Sequence, residues 1–165
     1  GRGHAKDSFT LDEYHRQFKK ELLPSNRKIC PGILEKGEYS FVLSTGSIYQ
    51  GLTLEDKIFE TERIIRYMRE DLKLEPNIGV MSSLRPTSHR GQYPVLDGAN
   101  FIIPAMGLVG NAWMKALLYL GDWQLIACPY LDLGVAYEDG SRNEKDYFNH
   151  ILHCVTMVNG KNNLL

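Results

Sequence analysis

Apolar and polar positions alternate between two periods along this chain. Thr10-Leu11-Asp12-Glu13 has the S/T-x-x-E form of a capping box, and Leu11, Tyr14, Phe18 and Leu22 follow at spacings of three and four. The spacing predicts a helix over about Leu11 to Leu23, stopped by Pro24. The next predicted element is a short strand, Tyr39 to Leu43, which opens into the polar loop Ser44-Thr45-Gly46-Ser47. Thr53-Leu54-Glu55-Asp56 starts a long amphipathic helix with Ile58, Ile64, Ile65, Met68 and Leu72 on one face. Glu60, Glu62, Arg63, Arg66 and Arg69 lie on the other, and Pro76 ends it.

The second half repeats the alternation. Ile78 to Ser82 reads as a strand and Ser83 to Tyr93 as a polar loop. Phe101 to Pro104 is the next strand, followed through a glycine-containing loop by a helix from about Gly110 to Leu120. Gln124 to Cys128 is another strand. Ser141 to Val158 is the last helix, with Tyr147, Ile151, Cys154, Val155 and Val158 as its inner face. Alternating strands and helices predict a three-layer α/β/α domain with a mainly parallel sheet. One joint conflicts with this: seven residues between Tyr93 and Phe101 are too few for a parallel crossover. Either these strands are not joined in that way or, as we expect, a segment near 96–98 is missing, within a single domain spanning 1–165.

Composition narrows the function classes. With 165 residues, 43% hydrophobic and 24% charged, the chain is of ordinary globular type. A net charge of −1 argues against a general nucleic-acid binder. No apolar run approaches the ~20 residues of a membrane span. Gly1-Arg2-Gly3-His4 has no apolar signal core, so a cytoplasmic protein is expected. The three cysteines, Cys30, Cys128 and Cys154, form no C-x-x-C pair and read as reduced thiols.

Four segments can carry chemistry. In Gly107-x-x-Gly110-Asn111-x-x-x-Lys115, a strand feeds a helix N-terminus, where backbone N–H groups and the helix dipole favour an anion. Asn111 and Lys115 add a hydrogen-bonding amide and a cation. The bland alternative is a tight turn with a solvated lysine. In Gly140-Ser141-Arg142, the arginine can grip a phosphate through two parallel bonds. Ser141-Arg142-Asn143-Glu144 is also a capping box, so the serine has a structural role open to it. Ser82, Ser83, Arg85 and Arg90 make the third segment, suited to phosphate or carboxylate. Ser44 to Ser47 is a weaker fourth. His150 and His153 are three apart on one helix, but no carboxylate or cysteine partner is evident, so a metal site is not expected.

The run Ile102-Ile103-Pro104 through Gly110-Asn111-Ala112, Lys115-Ala116-Leu117 and Tyr119-Leu120-Gly121 resembles the phosphotransacetylase and phosphate butyryltransferase superfamily. Ser141-Arg142 is similar to that family's active-site Ser-Arg pair. His4 and Asp7 resemble a further family segment more loosely. Thr53-Leu54-Glu55-Asp56-Lys57, and Ile78-Gly79-Val80-Met81-Ser82 leading to Arg85 and Arg90-Gly91, are similar to the methanogenesis marker protein 4 group. That archaeal group is labelled a methyltransferase subunit X.

The resemblance implies an isocitrate and isopropylmalate dehydrogenase-like fold, a homodimer and an additional N-terminal portion. It also implies an anionic small-molecule ligand such as coenzyme A or another phosphate-bearing cofactor. It assigns Ser141 and Arg142 to catalysis. The family carries an acid seven residues after the serine; here that position is Phe148, and the nearest acid, Asp146, is the candidate base. Two readings follow: acyl transfer between phosphate and coenzyme A, or a non-catalytic cofactor-binding or assembly protein on the same scaffold. A methyltransferase-associated role rests on the group label alone.

Overall fold

The computed structural model describes residues 29–44, 53–81, 98–133, 135–140 and 146–162. In chain order these form β1 (Gly32–Lys36), β2 (Tyr39–Leu43), α1 (Leu54–Glu70), β3 (Ile78–Val80), β4 (Phe101–Ile103), α2 (Gly107–Leu120), β5 (Gln124–Ala127) and α3 (Phe148–Asn162). The predicted first helix lies outside the described residues.

The five strands form one sheet in the order β3-β4-β2-β1-β5. β2, β4 and β3 pair in parallel, whereas β1 runs antiparallel to both β2 and β5. The sheet is therefore mixed, not mainly parallel as the sequence pattern predicts. The difference comes from β1, for which the pattern offers no element. Gly37, at φ +60, lets the chain fold back directly after Lys36, and β2 begins at Tyr39. A hairpin strand thus enters the middle of the sheet without a crossover helix.

Both faces of the sheet are covered, and the period of two in the strands decides which residue faces which layer. Leu34, Phe41, Leu43, Ile102 and Leu125 cluster with Met114, Trp113 and Leu117 of α2. Phe41 stacks on Trp113 at 5.3 Å and meets Trp123 edge-on at 5.2 Å. On the opposite face Ile33, Val42, Phe101 and Ile103 cluster with Ile64, Tyr67 and Met68 of α1. α3 joins the α1 side through a Tyr67–His153 contact. The three-layer arrangement expected from the pattern is present.

α1 begins with the predicted capping box: Asp56 N–H donates to Thr53 Oγ1 at 3.0 Å, and Thr53 N–H donates to Asp56 Oδ2 at 3.3 Å. The helix ends at Glu70, before Pro76, because Lys73 takes the left-handed region at φ +58. Ile58 is exposed and Glu60, expected on the polar face, is buried. α3 is shorter than predicted and rotated. Its buried residues are His150 and Met157, with His153 and Cys154 half-buried, while Ile151, Val155 and Val158 are exposed.

β3 and β4 are parallel neighbours joined by the twenty residues 81–100, of which 82–97 lie outside the described set; counted from Val80 and not from Tyr93, the link is long enough for a parallel crossover. Two asparagines tie the strand starts together. Asn77 N–H donates to Asn100 Oδ1 at 2.7 Å, and Asn100 Nδ2 donates to the Glu75 carbonyl at 3.0 Å.

Candidate functional site

The carboxyl ends of β2, β4, β3 and β5 lie along one edge of the sheet, because these four strands share a direction. In open α/β sheets this edge is where ligands bind. Ser44, buried just past β2, donates its N–H to the Ile102 carbonyl at 2.9 Å, and Met81, just past β3, donates to Ile103 at 2.8 Å. The loops after β2 and β3 therefore both leave beside the end of β4.

Pro104, Ala105 and Met106 lead from β4 into α2. The helix starts at Gly107, one turn earlier than expected, so the glycines belong to its first turn and not to a preceding loop. Met106 occupies the cap position in extended conformation. Among the described residues the Met106 cap position contributes no side-chain hydrogen bond, and no acid lies in the first turn. The first N–H groups of a helix have no partner within it. Gly107 and Gly110 are buried in this first turn. Asn111 is half-buried one turn in. Lys115 is exposed and eight residues from Gly107, about 12 Å along the axis at 1.5 Å per residue. The structure thus brings Gly107, Gly110 and Asn111 together and sets Lys115 further along.

Ser82, Ser83, Arg85, Arg90, Ser141 and Arg142 lie outside the described residues, as do His4 and Asp7. Asp146 is exposed, and its Oδ1 accepts from Phe148 N–H at 2.8 Å. The acid nearest to position 148 therefore caps α3. Gly140, just before the Ser-Arg pair, packs against Tyr147: a Cβ there would sit 2.6 Å from the ring.

A second polar group lies past the end of β5, three strand positions from β4 and so about 14 Å away at 4.8 Å per strand. Its centre is Glu138, placed by the bridge between Pro129 and Glu138. The carboxylate Oε2 accepts from Cys128 N–H at 2.6 Å and from His150 Nδ1 at 3.2 Å. Oε1 accepts a hydrogen bond from His153 Nδ1. His153 Nε2 meets the Tyr67 hydroxyl at 2.6 Å. An ionised carboxylate only accepts, so each Nδ1 carries the proton; in the neutral ring Nε2 then accepts from Tyr67. Among the described residues His150 Nε2 is buried without a hydrogen-bond partner.

Burial opposes ionisation of Glu138, but the bonds from His150, His153 and Cys128 outweigh it and hold its pKa below the ordinary 4.5. Burial, then the charge of Glu138, pushes the Tyr67 hydroxyl well up, so it stays protonated.

Sequence reasoning passes over Glu138 and Tyr67 and expects no carboxylate beside the histidines. One signal is present: Phe148 to Gly160 contains no Asp, Glu, Lys or Arg, so His150 and His153 are conspicuous polar side chains on that helix. Among the described residues no group of three or more His, Cys, Asp or Glu is placed to hold a metal ion. Nor, among them, is any helix long and apolar enough to cross a membrane.

No family model matches this chain, and no curated protein matches its sequence. Among solved structures it is similar to EutD phosphotransacetylase from Staphylococcus aureus, with a TM-score of 0.60 over 85% of this chain at 13% identity. The match spans 56% of that enzyme's length. At this identity the likeness establishes a phosphotransacetylase-like α/β fold.

Proposed function

We propose that this chain is the phosphotransacetylase-like part of a protein that moves an acyl group between phosphate and coenzyme A. The observation that carries the reading is the start of α2, at the carboxyl edge of a phosphotransacetylase-like sheet and, among the described residues, with no cap bond from Met106 and no acid in its first turn. Backbone donors and the helix dipole there favour an anionic ligand. In the reaction, the coenzyme A sulfur attacks the carbonyl carbon of an acyl phosphate. The C–S bond forms, the bond from carbon to the phosphate oxygen breaks, and the thiol proton passes to a base. Arg142, with Arg85 or Arg90, would offset the charge on phosphate, and Ser141 would hydrogen-bond phosphate or thiol. These four assignments rest on the sequence resemblance.

The second reading is a non-catalytic binder of a phosphate-bearing cofactor on the same scaffold. It is favoured by Phe148 at the family's acid position and by Asp146, whose carboxylate is engaged as the α3 cap. The finer assignment, to the archaeal methanogenesis marker protein 4 group as a cytoplasmic homodimer, belongs to this proposal too. A methyltransferase-associated role has no observation of its own behind it.

The test is an acyl-phosphate series assayed with coenzyme A on the full-length protein, beside a thermal-shift series with coenzyme A and inorganic phosphate. Acyl-coenzyme A formation is expected. Stabilisation by coenzyme A without turnover would favour the binder. Neither turnover nor stabilisation would remove both readings.

A further inference from the structure

Cys30 and Cys128 are 98 residues apart in sequence, yet their sulfurs lie 3.3 Å apart in the core. Cys30 sits just before β1 and Cys128 just after β5, at the edge where these two strands pair. They are 2% and 5% exposed. Cys30 Sγ also reaches the Cys128 carbonyl at 3.5 Å. A disulfide needs about 2.05 Å between sulfurs, so closure asks for roughly 1.2 Å of movement shared by two side chains. Neither sulfur has another sulfur partner: Cys154, on α3, is a separate free thiol.

We propose that Cys30 and Cys128 are a dithiol–disulfide modification site, closed by a small peroxide, that joins the start of β1 to the end of β5. One sulfur attacks a peroxide oxygen; the O–O bond breaks, giving a sulfenic acid and water. The second sulfur attacks the sulfenic sulfur, the S–S bond forms and hydroxide leaves, taking up a thiol proton as water. The two thiols lose two electrons, and hydrogen peroxide becomes two waters.

Burial selects the oxidant. A small neutral peroxide enters during local opening, whereas glutathione disulfide must bring a bulky sulfur against one of two covered thiols. Burial, reinforced by the contact with Cys128, also pushes the Cys30 thiol up, so closure is slow. Once formed, the bond closes a loop between residues 98 apart, long enough to restrict the unfolded chain strongly. It also fixes Cys128, whose N–H holds the Glu138 carboxylate.

The experiment uses the full chain carrying Cys154→Ser, which leaves only this pair. Treated with hydrogen peroxide, it is expected to lose the mass of two hydrogens and yield peptides linked through Cys30 and Cys128. Its urea midpoint should rise, and dithiothreitol should restore both thiols and the original midpoint. Glutathione disulfide should add no glutathione. Oxygen addition to one cysteine without linkage, glutathione adducts, or two thiols left intact by peroxide that oxidises free cysteine in the same tube would each overturn the proposal. Linked-peptide mapping of the unsubstituted chain separates the same outcomes should Cys154→Ser not fold.

Discussion

The two polar regions at the carboxyl edge are built in opposite ways. The start of α2 comes from one contiguous stretch, Phe101 to Lys115, and offers backbone donors with no acid in the first turn. The Glu138 group draws on α1, the segment after β5 and α3, and its donors already meet a carboxylate. The first region is suited to an outside anion. The second contains its own anion, satisfied internally. Removing a polar group should therefore cost the second region stability and the first region ligand affinity.

The largest expected effect lies in the second region. Glu138→Ala leaves two imidazole donors and the Cys128 N–H without their acceptor, and should cost about 4 kcal/mol in urea unfolding. A loss below about 1 kcal/mol would show that the buried carboxylate does not organise these elements.

Acid titration sharpens the same point. The Glu138 pKa is depressed in the folded chain, so its contribution is present above the ordinary 4.5 and is lost as pH falls through the lower folded value. Glu138→Gln should flatten that part of the acid limb, measured as urea midpoint against pH. An unchanged limb would mean that other carboxylates set it.

Tyr67→Phe removes only the hydroxyl that meets His153 and should cost about 1.5 kcal/mol. In the first region Ile102→Val trims one buried methylene beneath α2 and should cost about 1 kcal/mol. The smallest stability effect belongs to Lys115→Ala, within about 0.5 kcal/mol because the side chain is exposed. That variant should nevertheless weaken coenzyme A binding in a thermal-shift titration, the reverse of the pattern expected for Tyr67→Phe.

The contrast also explains which features are legible in the sequence. β2, β4, β5 and α1 are short-range patterns, and Thr53 with Asp56 forms the capping box its spacing implies. The start of α2 is readable for the same reason, since every residue that shapes it lies within one stretch. β1 is not, because Cys30-Pro31 precedes it, Gly32 opens it and its far end, Glu35-Lys36, is polar and exposed. The inner face of α3 is misleading because the apolar period points outward, while His150 and His153 face in toward Glu138. Nothing local marks a glutamate as the buried partner of histidines twelve and fifteen residues later. The Cys30–Cys128 contact is legible only once β1 is placed beside β5.

Calorimetric titration of the full-length protein with coenzyme A tests the central claim most directly, that the edge at α2 is the anion site. Saturable, salt-sensitive binding is predicted, weakened when Asn111→Asp places an acid one turn into the helix and unchanged in Tyr67→Phe. No saturable binding of coenzyme A or inorganic phosphate, or binding indifferent to Asn111→Asp, would contradict it.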